Sequence, residues 1–391
     1  MGVEPGSATA EGASPPEGSG RDAAVLLAVA LSMVNVGFYV ASIGVVLVVL
    51  AGDLGVSVES LAAFGSIFGW GLFAMAALGP FALRLGATRV LAGAAALLAV
   101  GTLIVALTGN ATLAYVGAVL QGTGAAGMVL VAPRLLRGPR AEARLTGVNA
   151  AASLAGIAAP LLLGAATRLG LGGRTPLVAM AAACLVLIVV ALRLGDVDVD
   201  GPHGATPGQP LAKGTAVRRW LALVCSVSVE FCFVVWGVAR LTATGLETGL
   251  AAILGASFQV GMALGRLLGP KVIGRIPVVT VGCALAAGGV LLVVVSGTWP
   301  LVALGQLVAG LGVATMYPVA LARLMVTPGL RPEFGASLGV LGSATAITLA
   351  PTMLAGLALV VDLRVAFLVA LPILVVLFFL HRERALRPAG A

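Results

Sequence analysis

Twelve long apolar runs, separated by short polar or turn-forming segments, constrain this chain more than any other feature. They cover roughly 23–50, 60–82, 89–108, 112–136, 146–167, 175–194, 219–241, 248–269, 277–296, 300–324, 335–360 and 364–381. Each is long enough to cross a hydrocarbon layer as a helix, which takes about 20 residues. Backbone N–H and C=O groups find no water there, so each run must satisfy them internally, as a helix does. The composition agrees, with 60% hydrophobic and 10% charged residues, against about 25% charged in a soluble domain. The chain is predicted to be an all-α polytopic membrane protein.

The hydrophilic stretches divide it. Residues 1–21, rich in Gly, Ser, Pro, Ala and Glu, read as a disordered tail, without the basic-then-apolar pattern of a secretory signal. Residues 195–218 form a long polar interval that separates two six-span bundles, 22–194 and 219–382, and 383–391 form a second tail. With the N-terminus in the cytoplasm, nineteen of the 23 lysines and arginines fall inside, leaving Arg168, Arg174, Arg240 and Arg364 outside. The reverse topology inverts that ratio, so both termini are expected to be cytoplasmic. The net charge of +8 therefore sits in short clusters on one membrane face and does not make a nucleic-acid surface. Cys184, Cys225, Cys232 and Cys283 lie singly in apolar runs, and His203 and His381 have no ligand partners nearby. No metal or other cofactor is expected.

The two bundles repeat one another. Gly79 and Arg84 match Gly261 and Arg266 at an offset of 182; Gln121 and Pro133 match Gln306 and Pro318 at 185. Ala159-Pro160 matches Ala350-Pro351 at 191, and Asn35 can be laid on Glu230 at 195. Matches in chain order predict a duplicated six-helix unit, with parallel repeats related by an axis along the membrane normal. Transporters of this plan hold substrate near the midplane between the halves and rock the halves to alternate access.

The chain resembles the major facilitator superfamily over nearly all of its length after residue 21. GPFALRLGATR, from Gly79 to Arg89, resembles the family's loop between the second and third spans, matching at Gly79, Arg84 and Gly86, with Leu83 at the aspartate position. GMALGRLLGPK keeps Gly261, Arg266 and Gly269 in the second half. LQGTGAAG resembles the fourth-span Arg-x-x-Gln-Gly motif at Gln121 and Gly122, with Ala118 at the arginine position. GIAAPLLLG resembles the fifth-span motif of family antiporters, with Ala159 in place of a glycine. The resemblance implies a twelve-helix fold and secondary transport across a bacterial plasma membrane. It also implies that the first, fourth, seventh and tenth spans line a central cavity. On that basis Asn35, Tyr39, Gln121, Gln306 and Tyr317 would face substrate, with Gln259 of the eighth span nearby. Gly79, Arg84, Gly86, Gly261 and Arg266 would form the cytoplasmic gate, the arginines reaching out to the interface.

Glu230 is the exceptional residue. Arg219 and Arg240 bracket its span, placing it about 15 Å from either end. It is the one acid of fifteen away from a span end. An acid there costs at least ~3 kcal/mol on insertion scales, and burial favours its neutral form. Such a group can hold a proton in a dry conformation and release it in one that admits water, or it can hold a cationic substrate. No lysine or arginine is expected at its depth, which argues against an anion site.

The leading expectation is proton-coupled efflux of a small amphipathic molecule by a protein working as a monomer, with the proton, the solute and the lipid bilayer as its partners. The alternative is a proton-coupled uptake permease for a sugar- or nucleoside-like solute. A non-transporting sensor or scaffold is a third reading. An intramembrane enzyme would need histidines or paired acids at depth, and no phosphate-binding GxxxxGK[ST] loop marks a primary pump. No enzymatic activity is expected.

Overall fold

The protein is seen in a computed structural model that describes residues 18–136, 141–195, 210–272 and 276–382. Residues 1–17 of the expected tail 1–21, residues 196–209 of the expected loop 195–218 and the expected tail 383–391 lie outside the described residues. Twelve helical spans cross the molecule: Gly18–Leu54, Ala63–Ala82, Ala87–Leu107, Ala111–Leu135, Ala141–Arg168, Thr175–Arg193, Lys213–Thr242, Thr248–Val272, Val278–Val295, Trp299–Met325, Pro332–Ala358 and Leu363–His381. An even number of crossings puts the first and last described residues, Gly18 and Arg382, on one face, called here the terminal face; the opposite one is the far face.

Two boundaries depart from the expected ones. The first helix begins at Gly18, inside the expected tail, and the seventh at Lys213, inside the expected loop. The polar turn from Lys213 to Arg219 has too many charges for lipid, but it continues the helix beyond the apolar run. It is docked there, because Arg218 donates to the carbonyls of Leu380 and Arg382 at the end of the twelfth span, at 2.8 and 2.6 Å.

Local chemistry sets several span ends. Asn110 caps the fourth span by accepting hydrogen bonds from the N–H groups of Thr112 and Leu113. Gly86, at φ 96°, turns the chain from the short 3-10 turn Leu83–Leu85 into the third span, a conformation that favours glycine. The tenth span, expected to be continuous, breaks between Val313 and Met316. Pro318 has no N–H to return to the carbonyl of Ala314, four residues back, and the helix opens where that bond is lost. Pro160 and Pro351 stay inside unbroken helices.

Packing follows an approximate two-fold pattern. In the first half the fourth span packs on the second and third, the fifth on the first, and the sixth on the third. In the second half the tenth packs on the eighth and ninth, the eleventh on the seventh, and the twelfth on the seventh and ninth. The halves meet through the fifth span on the eighth, the second on the eleventh, and the first on the seventh.

Glycine contacts fix the register of this repeat. Gly101 and Gly117 each lie against the other's carbonyl, as do Gly289 and Gly305, positions 188 apart. Gly122 lies against the Phe68 carbonyl and Gly310 against that of Phe258. Gly71 faces the Val119 carbonyl as Gly261 faces that of Leu307, positions 190 and 188 apart. Without side chains these helices approach closely enough for backbone contact, which is how helices associate where lipid removes the hydrophobic drive. The contacts correct the alignment expected from sequence. Gly261 is the equivalent of Gly71, not of Gly79. Arg266 therefore stands eight residues, or about 12 Å of helix, further into its bundle than a counterpart of Arg84 would.

Candidate functional site

The seventh span is buried without interruption from Ser226 to Leu241 except at one residue, Glu230, which is partly exposed. The first span shows the same profile: Val40 is partly exposed and every residue from Ala41 to Ala51 is buried. The sealed runs Ala41–Ala51 and Phe231–Leu241 are 190 apart, and the spans cross where Gly44 approaches the Val234 and Val235 carbonyls. Val40 and Glu230 are thus equivalent positions at the inner limit of the seal. The Asn35–Glu230 pairing expected from sequence is off by five residues.

Several contacts between the halves lie toward the far face. Ser66 and Thr352 share a hydrogen bond of 2.6 Å between the second and eleventh spans. Gly164 lies against the Gly249 carbonyl between the fifth and eighth, and Arg168 and Glu247 form an exposed ion pair at 3.8 Å just beyond. Toward the terminal face the fifth–eighth seam continues through Gly156, beside the Gln259 amide, to Ser153, whose hydroxyl accepts from Arg266 at 2.9 Å.

Arg266 is the residue that sequence reasoning misplaced. Instead of reaching outward, its guanidinium turns to the seam between the halves and acts electrostatically on both Glu230 and Tyr317. The expectation that no cation shares the depth of Glu230 is corrected accordingly. Gly265 packs on Ala314 and Gly269 on Thr315, so Arg266 is held level with the break in the tenth span. Tyr317 follows that break, partly exposed, with its hydroxyl beside Ser343 of the eleventh span. Glu230, Arg266, Tyr317, Ser343 and Ser153 thus form one polar group, and Gln259 lies along the same seam.

The other expected cavity residues lie inside their own bundles. Asn35 is fully buried, donating to the Leu31 carbonyl and accepting from the Cys184 thiol of the sixth span. Tyr39, also buried, lies against Cys184 and Thr102, without a well-formed hydrogen bond. Gln121 donates to Thr102 of the third span at 3.2 Å, and Gln306 to the Gly237 carbonyl of the seventh at 2.8 Å. In this conformation Asn35, Gln121 and Gln306 tie helices together, Tyr39 is packed within its bundle, and all four are buried away from the seam. Of the expected gate, Gly79 packs on Leu130, Arg84 lies over the Phe81 ring of its own helix, and Gly86 makes the turn already described.

A different pair of arginines closes the far ends of the bundles. Arg174 donates to the carbonyls of Val105 and Thr108 and pairs with Asp53 at 2.9 Å. Arg240, buried, donates to those of Val293 and Ser296 and lies in the field of Asp362. The four carbonyls are equivalent, 188 apart, at the last turn of the third and ninth spans, where orphan carbonyls favour a cation. The arginines reach them from different elements, the loop before the sixth span and the seventh span itself. No group of metal-binding side chains occurs among the described residues.

The profile described as Major Facilitator Superfamily matches residues 25–272. No curated protein sequence matches the chain. Among solved structures, a bacterial homologue of the human lysosomal transporter Spinster, inward-facing and unoccupied, is similar at 17% identity over 94% of this chain and 95% of that one, with a TM-score of 0.68. The nucleoside transporter NupG is similar at 15% identity over 93% and 100% of the two chains, TM-score 0.70. The peptide transporter POT in complex with sulfate is similar at 14% identity over 91% and 94%, TM-score 0.72. Twelve apolar spans, a two-fold repeat and a family profile covering more than half of the residues lead to one assignment: the chain is a multi-pass membrane protein that belongs to the Major Facilitator Superfamily.

Proposed function

We propose that the protein is a proton-coupled secondary transporter that exports a small amphipathic organic molecule by alternating access, with Glu230 as the group that binds the proton or the substrate. The observation that carries this reading is the exposure of Glu230 at the inner edge of a sealed run. A carboxyl in a membrane span is costly, and this one has no hydrogen bond or ion pair among the described residues. Partial exposure beside a fully buried run suits a group that is reached from one side, as a carrier requires.

The terminal face is read as cytoplasmic, because Arg21, Arg84, Arg89, Arg193, Lys213, Arg218 and Arg382 lie there. The site is then read as serving the cytoplasmic side of a bacterial inner membrane, and as complete within one chain. The similar transporters of nucleosides and peptides support carriage of organic solutes. Uptake of a hydroxyl-rich solute is the second reading, favoured by the partial exposure of Tyr317 and Gln259.

The test is flux in proteoliposomes under an imposed pH gradient, with a panel of labelled organic solutes. Glu230→Gln is expected to bring gradient-driven flux down to that of empty liposomes, while Asn35→Ala keeps it per folded molecule. Unchanged pH-coupled flux in Glu230→Gln removes that residue from the mechanism.

A further inference from the structure

The second half carries a cation as well as an acid at the seam, and the two are not spent on each other. Arg266 has one hydrogen-bond partner among the described residues, the neutral hydroxyl of Ser153. Glu230 has none. Glu230 lies in the field of Arg266, yet the two form no ion pair among the described residues. A guanidinium and a carboxylate inside membrane helices are normally paired, because an unpaired charge there is expensive. Here both are partly or fully exposed, and the Tyr317 hydroxyl, which feels both charges, lies near them.

The equivalent positions in the first half are apolar. Val40 stands for Glu230, Ala76 for Arg266, Val129 for Tyr317 and Ala152 for Ser343, by the registers of 188 to 191 residues. The fold therefore does not need these polar groups at this level: the same scaffold closes without them. Their presence in one half alone points to a ligand.

We propose that this site binds a small zwitterion, its carboxylate on the Arg266 guanidinium and its ammonium on Glu230, with Tyr317 hydrogen-bonding between. Arg266 offers the planar fork that suits a carboxylate. A zwitterion neutralises both protein charges at once, whereas a simple amine or acid leaves one uncompensated. The proposal rests on the transport reading above and specifies its solute class.

The experiment measures binding to the full-length protein in detergent, with three matched probes: L-phenylalanine, phenethylamine, which lacks the carboxylate, and 3-phenylpropionate, which lacks the amine. A second triplet built on leucine repeats it. Wild type is expected to bind the zwitterion of at least one triplet about tenfold or more tighter than either truncated probe, since one lost charged contact worth 1.4 kcal/mol is a factor of ten. Arg266→Gln is expected to erase the preference over the amine and keep the preference over the acid; Glu230→Gln does the reverse. Arg266→Lys, which keeps the charge, retains most of the first preference, and unchanged elution on size exclusion verifies folding of each variant.

Failure of both zwitterions to bind wild type overturns the proposal. So does equal loss of all probes in both variants, which would assign the pair to the conformational cycle alone. If wild type carries an amine or a neutral amphiphile under a pH gradient but no zwitterion, the solute class falls and transport stands. If it carries nothing, the transport reading falls with it.

Discussion

The two halves of this protein share a scaffold and differ in chemistry. Glycine-to-carbonyl contacts recur at matched positions in both, from Gly101 and Gly117 to Gly289 and Gly305. Yet the first half spends its polar side chains internally, in bonds such as Gln121 to Thr102 and Asn35 to Cys184, while the second leaves Glu230, Arg266 and Tyr317 at the seam. Where duplication fixes the frame, backbone packing is retained in both copies. Side chains that face the seam are under no such constraint, so function can reside in one copy.

The equality of the frames can be broken first. Gly122→Val and Gly310→Val each drive a side chain into a facing carbonyl, of Phe68 and Phe258 respectively. Backbone cannot yield as a side chain tip can, so each is expected to cost about 3 kcal/mol, the upper end for overpacking, and to abolish the folded peak on size exclusion. A variant of either half that folds normally would show that the frames are not equally tight.

The capping arginines sharpen the comparison at smaller scale. Arg240→Gln strands two carbonyls in a buried site and is expected to cost about 3 kcal/mol. Arg174→Gln strands the matching two nearer solvent and is expected to cost about 2 kcal/mol, both read from thermal unfolding in detergent. A reversed order would mean that burial does not set the value of these caps. Smallest is Arg168→Gln, which removes an exposed ion pair between the halves and is expected to change stability by less than about 1 kcal/mol. A larger loss would make that pair, and not the helix contacts, the main tie at the far face.

The spans were legible because apolar length is a one-dimensional property, but the duplication was legible only as two sets of six. The matches at 182, 185 and 195 are out of register by eight, three and five residues, so Gln121 and Gln306 are not equivalent. The break in the tenth span was not legible: Pro160 and Pro351 sit in unbroken helices while Pro318 opens one. Sequence does not say which freed carbonyl finds another partner. Glu230 stood out as an acid alone in an apolar run. Arg266 did not, since it lies less than two turns before Val272 and reads as a residue at the interface. Only the glycine contacts show that it stands eight residues further in than a counterpart of Arg84 would. The buried amides were indistinguishable from ligand contacts because their partners lie far off in sequence: Cys184 is 149 residues from Asn35.

The close approach of Gly44 to Val234 has a mechanical consequence. These residues occupy equivalent positions in the two copies, so they lie near the axis that relates them. The first and seventh spans therefore touch main chain to main chain on the line about which the halves repeat, and a side chain at position 44 would wedge the two halves apart there.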